Sequence, residues 1–306
     1  MPSPDAVTSA DPHRGQRSSN VSVSRGSINS IGVREYDTIS RKTMDYETLC
    51  DDLAAEQAAL DKIVAGIDAG RWLIETPSPG WTVRDQIAHL AYSDEVAAHA
   101  ARDPDGFRRD LAHRPLDVRR ADQLARGRAL AGADVLAWWR RARVDEVTAF
   151  RSLGPKDRLP WFGPDMSVAS FVTARVEETW GHGQDVADAL GVAWTDTDRL
   201  RHVAHLGVIT RGFSFTNQGR PAPTDDVRVE LTSARGAQWT WGDAAAPNRV
   251  RGRAVDFCRV VTRRRHVADT RLVVEGPVAT AWMTIAQAFA GPPGDGRQPG
   301  QFAPAE

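Results

Sequence analysis

The sequence predicts an α-helical N-terminal domain, arranged as a four-helix bundle, followed by a smaller α/β C-terminal domain. Two patterns carry that reading: apolar residues recur at helical spacing from Met44 to about residue 212, and the period switches to two after the Asn217–Pro221 stretch. At 306 residues the chain is long enough for two cores, and its 41% hydrophobic and 26% charged residues are those of a globular protein. The 39 basic and 40 acidic residues nearly cancel, so no field is available to neutralise nucleic-acid phosphates. Apolar runs fall short of the roughly 20 residues that cross a bilayer. The partners expected are small molecules, with no nucleic acid and no membrane. Cys50 and Cys258, the two cysteines, fit a reduced, cytoplasmic protein.

Residues 1–43 hold nine serines and little apolar periodicity, which predicts a disordered tail. The stretch shares the Arg/Ser bias of an organelle transit peptide but lacks its amphipathic helix, and a true start at Met44 is the alternative. Leu49, Leu53, Leu60, Ile63, Val64 and Ile67 predict a first helix over about 45–69, stopped by Gly70. Thr82 with Asp85 three positions on is a capping signal for a second helix over 83–102, before Pro104. A third pattern runs from Ala121 to Phe150. Ser167 caps a fourth helix over 168–190 that Gly191 ends, and a fifth segment covers 198–212. Val227, Val229 and Leu231, then Trp239 and Trp241, predict two antiparallel strands. A helix over 253–264, a strand over 271–275 and a helix over 279–289 complete the second domain. The resulting division is a tail over 1–43, a bundle over 44–215, an α/β domain over 216–291 and a flexible, Gly/Pro-rich tail over 292–306.

On the fourth helix Glu178 and His182 are four residues apart, so both side chains leave one face. Spacing alone leaves two readings open, a solvated helix pair or two ligands of one cation. An imidazole and a carboxylate suit a borderline divalent metal, but two ligands leave a tetrahedral site half built. His89 on the second helix is the candidate third ligand, because antiparallel helices of a bundle can bring it opposite His182. The two-histidine motif of zinc proteases is absent, as are a serine-nucleophile elbow and glycine-rich phosphate loops.

The run Gly80-Trp81-Thr82-Val83-Arg84-Asp85-Gln86-Ile87-Ala88-His89-Leu90 resembles the helix-two signature of the mycothiol-dependent maleylpyruvate isomerase family, a branch of the DinB-like metal-binding bundles. Glu177-Glu178-Thr179-Trp180-Gly181-His182-Gly183-Gln184-Asp185 is similar to its second metal motif. Gly252–Phe257 and Ala286–Gly291 are similar to the appended α/β domain of a metal-binding subgroup. The resemblance implies a DinB-like four-helix bundle with a divalent metal, most often Zn²⁺, held by His89, Glu178 and His182; Glu177 is the register alternative, pointing away. It also implies mycothiol as the thiol cofactor or co-substrate, activated for attack on an electrophilic small molecule by an isomerase or S-transferase. Three protein ligands leave a position open, where a thiol is deprotonated near neutral pH. A hydrolase or lyase using water at that position, and a non-catalytic binder of a small ligand, are the alternatives.

Other residues read more plainly. Cys50 and Cys258 sit in apolar helical surroundings as buried structural thiols. Arg263, Arg264 and Arg265 end a helix where positive charge complements its dipole, with carboxylate recognition as the functional rival. Asp185 reads as solvent-facing, with orientation of an imidazole as the alternative. His202 and His205 read as exposed or bordering the cleft, and Trp138, Trp139, Trp161 and Trp180 as core or pocket lining.

Overall fold

A computed structural model describes residues 46–302, and these form one compact unit. The expectations for the N-terminal tail and for Met44 lie outside the described residues. Four long helices make the bundle: α1 (Tyr46–Val64), α2 (Val83–Arg102), α5 (Gly132–Arg151) and α6 (Val168–Leu190), with α3 (Pro104–His113) and α4 (Leu116–Arg128) inserted between α2 and α5. The caps are those the sequence signals. Thr82 and Asp85 exchange both bonds of a capping box, the Ser167 side chain accepts from the Ser170 amide, and Gly191 ends α6 in the left-handed region at φ 64°.

The third helical pattern is two helices, not one. The chain turns at Ala129–Ala131, and two glycines explain why it can. A side chain on Gly127 would sit 2.5 Å from the Ala88 Cβ, and one on Gly132 would sit 2.2 Å from the Trp72 ring, so α4 and the start of α5 approach the bundle more closely than any larger residue allows. α4 buries only a narrow stripe, Arg119, Gln123 and Gly127, one residue per turn against α2. Helix α1 also stops earlier than expected, at Val64, and a 3₁₀ turn over Arg71–Leu73 leads into a bridge between Glu75 and Thr82.

The bundle interior carries one polar layer to which all four helices contribute. Arg175 on α6 bonds Asp94 on α2 (2.5 Å) and Glu146 on α5 (3.0 Å), with all three side chains at most 3% exposed. Gln57 on α1 donates to Glu146 (2.9 Å), and the Trp139 indole donates to Asp94 (2.9 Å). Such a layer fixes helix register, because sliding any helix leaves a buried charge unpaired.

Beyond α6 come α7 (Leu200–Ile209) and α8 (Arg211–Asn217), then a four-stranded sheet in the order β4-β3-β5-β6, where a two-residue ladder β1/β2 (Arg158–Leu159, Met166–Ser167) has already preceded α6. Strands β3 (Val227–Thr232) and β4 (Gln238–Trp241) pair antiparallel as expected. Strand β5 (Asn248–Arg253), which periodicity does not announce, pairs parallel to β3 and antiparallel to β6 (Val273–Glu275). Helices α9 (Ala254–Val261) and α10 (Pro277–Ile285) pack on the sheet, and α7 packs on α9 where Gly207 meets Val261. Among the described residues no helix is long and apolar enough to cross a membrane.

Candidate metal centre

Helices α2 and α6 bring His89, Glu178 and His182 together, with one ligand atom from each lying within 4.8 Å of the others. The Glu178 Oε2 is 3.5 Å from the His89 Nε2 and 3.3 Å from the His182 Nε2. The two rings are tilted with centroids 4.5 Å apart, and the Trp81 indole lies against both, stacked on His182 at 6.0 Å and edge-on to His89 at 5.4 Å. Glu178 keeps about a quarter of its side chain open to solvent (27%), so the cluster faces outward on one side.

The far nitrogens of both imidazoles are held by glutamine amides. The His182 Nδ1 is 2.5 Å from the Gln86 Oε1, the Gln86 Nε2 donates to the Thr76 Oγ1 (2.9 Å), and the Thr76 hydroxyl donates to the Trp81 carbonyl (2.9 Å). The His89 Nδ1 is 2.9 Å from the Gln123 Nε2, brought in by α4. Arg128 fastens that helix in place through Asp85 (3.0 Å) and the Gly80 carbonyl (2.9 Å).

Burial, then the charge of His89, lowers the His182 pKa to about 4, so its ring is neutral at pH 7. Burial raises Glu178, but the two imidazoles beside it outweigh burial and hold the carboxyl well below its ordinary range. A neutral His182 ring that donates from Nδ1 to the Gln86 Oε1 turns an unprotonated Nε2 toward the Glu178 carboxylate at 3.3 Å. Two acceptors cannot satisfy each other, and a cation between them can. The 3.3 and 3.5 Å separations also match the edge, about 3.3–3.4 Å, of a tetrahedron with 2.0–2.1 Å metal bonds. The donor set therefore fits a divalent metal. Glu177 is not part of it: it is buried, without a hydrogen bond among the described residues, and burial with the Glu178 charge pushes it up to about 8.

Asp185 is neither solvent-facing nor bonded to an imidazole. It is fully buried and holds Arg264 (3.1 Å), Arg297 (2.7 Å) and the Ser78 hydroxyl (2.9 Å), because two guanidiniums from the C-terminal part reach it. Arg264 lies along Gly181, next to His182, where a side chain would touch its guanidinium at 3.4 Å. Arg263 bonds Gln287 and Arg265 bonds Asp188, so of the three-arginine run Arg264 is the one directed at this cluster. His202 is buried on Asp52 (2.8 Å) rather than exposed, and the His205 Nδ1 accepts from the Trp241 indole (3.2 Å). Trp138, Trp139 and Trp180 are core residues, and Trp161 packs among Phe107, Phe162 and Phe171. Cys50 and Cys258 are buried and free. Gln86, Gln123, Trp81 and Arg297 are the neighbours that residue pattern did not mark; Gln86, one turn before His89 on a helix with a candidate ligand, was the one open to notice.

The family model for the mycothiol maleylpyruvate isomerase N-terminal domain matches residues 53–187. Uncharacterized proteins MT0041 and Rv0036c of Mycobacterium tuberculosis (strains CDC 1551 / Oshkosh and ATCC 25618 / H37Rv) are each 45% identical over 253 residues, covering 80% of this chain and 96% of theirs. Crystal structures of the mycothiol-dependent maleylpyruvate isomerase and of a histidine-to-alanine mutant of it superpose with a TM-score of 0.53 at 15% identity, covering 72% of this chain and 90% of theirs. At that identity the likeness is one of fold.

Proposed function

Because the chain belongs to the mycothiol maleylpyruvate isomerase N-terminal domain family, we propose that it is an enzyme that activates the low-molecular-weight thiol mycothiol for attack on an electrophilic small molecule, as an isomerase or S-transferase. His89, Glu178 and His182 are its metal ligands in this reading, and zinc is the metal. The observation that carries it is the convergence of three ligand atoms from two helices, with the Glu178 Oε2 3.5 Å from the His89 Nε2 and 3.3 Å from the His182 Nε2. When bound, the metal supplies a Lewis-acidic position at which an external thiol loses its proton near neutral pH.

The chain's own thiols support the need for an external one. Cys258 is fully buried, its sulfur 3.5 Å from the Leu200 carbonyl, and burial pushes its pKa well above the ordinary range. Trp81 walls the histidine side of the cluster and limits access of water to it. Arg264 and Arg297 share a single carboxylate, so their joint positive charge is only half matched and favours an anionic group on the electrophile.

The test is metal content by elemental analysis of the purified protein and of Glu178→Ala, followed by calorimetric titration of mycothiol. The expected result is one zinc per chain, lost in the variant, with thiol binding confined to the zinc-loaded protein. Full zinc in both His89→Ala and His182→Ala refutes the ligand set. Turnover undiminished in thiol-free buffer refutes the thiol and moves the chemistry to activated water.

A further inference from the structure

We propose that Gln86 and Gln123 are positioning residues that set the proton on each histidine ring, Gln86 permanently and Gln123 as a two-position clamp that turns when a cation enters. The inference rests on the metal reading above, but its first half concerns the metal-free protein. The Thr76 hydroxyl donates to the Trp81 carbonyl, so its oxygen is left to accept, and the Gln86 Nε2 is what it accepts from. The turned amide would draw that hydroxyl away from the Trp81 carbonyl and leave it the Thr76 backbone amide (2.7 Å) alone. Gln86 is therefore held with Oε1 toward His182, where only an N–H can meet it. Gln86 is 0% exposed, so water does not stand in for either partner. His182 is thus a ligand prepared in advance, with its proton on Nδ1 and its lone pair on Nε2.

Gln123 is built differently. Its amide makes a hydrogen bond to the His89 Nδ1 and, among the described residues, to nothing else, so neither end of the amide is fixed by a second partner. Without a cation the His89 Nε2 carries the ring proton toward Glu178, 3.5 Å away, and Nδ1 accepts from the Gln123 Nε2. For His89 to present Nε2 to a cation, that proton must reside on Nδ1, and the amide must turn its oxygen to receive it. The proton lost from Nε2 is regained at Nδ1 of the same ring through solvent, so the ring stays neutral and no net proton is released. The close seating of α4 on α2, allowed by Gly127 against Ala88, is what holds Gln123 within reach.

The experiment is imidazole ¹⁵N NMR of the full chain, metal-free and zinc-loaded, with zinc affinity by chelator competition. The metal-free protein should show His182 protonated on Nδ1 and His89 on Nε2, and zinc should move the His89 proton to Nδ1. Gln86→Met, which keeps length but removes the acceptor, should weaken zinc about 10–100-fold. Thr76→Val touches no ligand and should weaken it by about 2–10-fold, solely by freeing the Gln86 amide. Gln123→Met should weaken zinc about 10-fold, whereas Gln123→Glu, which offers an acceptor from either oxygen, should match or exceed the wild type. His182 protonated on Nε2 in the metal-free protein, or folded Gln86→Met with zinc affinity within 2-fold of wild type, overturns the proposal. A wild-type protein that takes up no zinc sinks the metal reading instead, and the metal-free spectra still decide the tautomers.

Discussion

The polar layer of the bundle holds two carboxylates and one guanidinium, and which acid carries the charge can be decided by substitution. Burial and the neighbouring Asp94 charge push Glu146 well above its ordinary value of 4.5, so Glu146 keeps its proton and Asp94 pairs with Arg175. Glu146→Gln then replaces one neutral group by another and should leave stability at pH 7 within about 1 kcal/mol of wild type. Asp94→Asn removes the charge partner, but Glu146 stands 3.0 Å from the Arg175 Nε and can ionise in its place, which limits the loss to about 1–2 kcal/mol. The double variant has no such escape. Two unit charges about 4 Å apart at an effective dielectric of 20 attract by roughly 4 kcal/mol, and breaking a buried pair costs about 3–5 kcal/mol. For a domain of this size each kcal/mol moves the midpoint by about 2–4 °C, so the double variant should melt roughly 6–20 °C lower. Glu146 has a raised folded pKa, so its contribution is fully present below about pH 4.5 and is lost as pH rises through the folded value. Glu146→Gln should therefore gain on wild type toward alkaline pH. The assay is thermal and urea unfolding of the four proteins from pH 5 to 9. Additive effects, or a Glu146→Gln loss as large as that of the double variant, would refute the assignment.

Further expected outcomes concern the thiols, a cap and the C-terminal segment. Cys50 and Cys258, both buried with raised pKa values, should resist alkylation at pH 7.5 until the protein unfolds, and Cys258→Ala should leave mycothiol binding intact; fast labelling of the native state would contradict this. Gly191→Ala, at φ 64° with open space around it, should cost about 1 kcal/mol from backbone strain alone, read as a midpoint shift in urea. Arg297→Gln should speed proteolytic cleavage within residues 291–302 while zinc content stays at the wild-type level, and an unchanged digestion pattern would show that Asp185 is not what fastens the segment.

Local chemistry was legible and tertiary chemistry was not. Thr82, Asp85, Ser167 and Gly191 signal helix ends because a cap is settled within four residues of chain. The division of one helical pattern into α4 and α5 is not local: it depends on Gly127 finding Ala88 and Gly132 finding Trp72. Strand β5 is hidden because Val250 is its sole apolar side chain, with Arg249, Arg251 and Arg253 between its inward positions. At the site, Glu178 and His182 share a helix face and so are visible in spacing, while His89 needed the bundle to oppose α2 and α6. Gln123, Arg264 and Arg297 come from elements distant in the chain, and Asp185 looks like a surface aspartate until the two arginines that bury it are placed.

The candidate ligands and their surroundings come from different parts of the molecule. His89, Glu178 and His182 stand on two bundle helices whose register the Arg175 layer fixes, one turn of α6 from Glu178. Apart from Gln86 on α2, the side chains named around them come from additions to the bundle: Trp81 and Thr76 from the segment before α2, Gln123 from the α4 insertion, Arg264 and Arg297 from the C-terminal part. Charge then narrows what the walls accept. Asp185 matches one of the two arginine charges and Glu178 would match one charge of a divalent cation, which leaves two positive charges uncompensated in the cluster. In the proposed reaction a thiol that has lost its proton would cancel one of them, and an electrophile bearing a negative group would cancel the other.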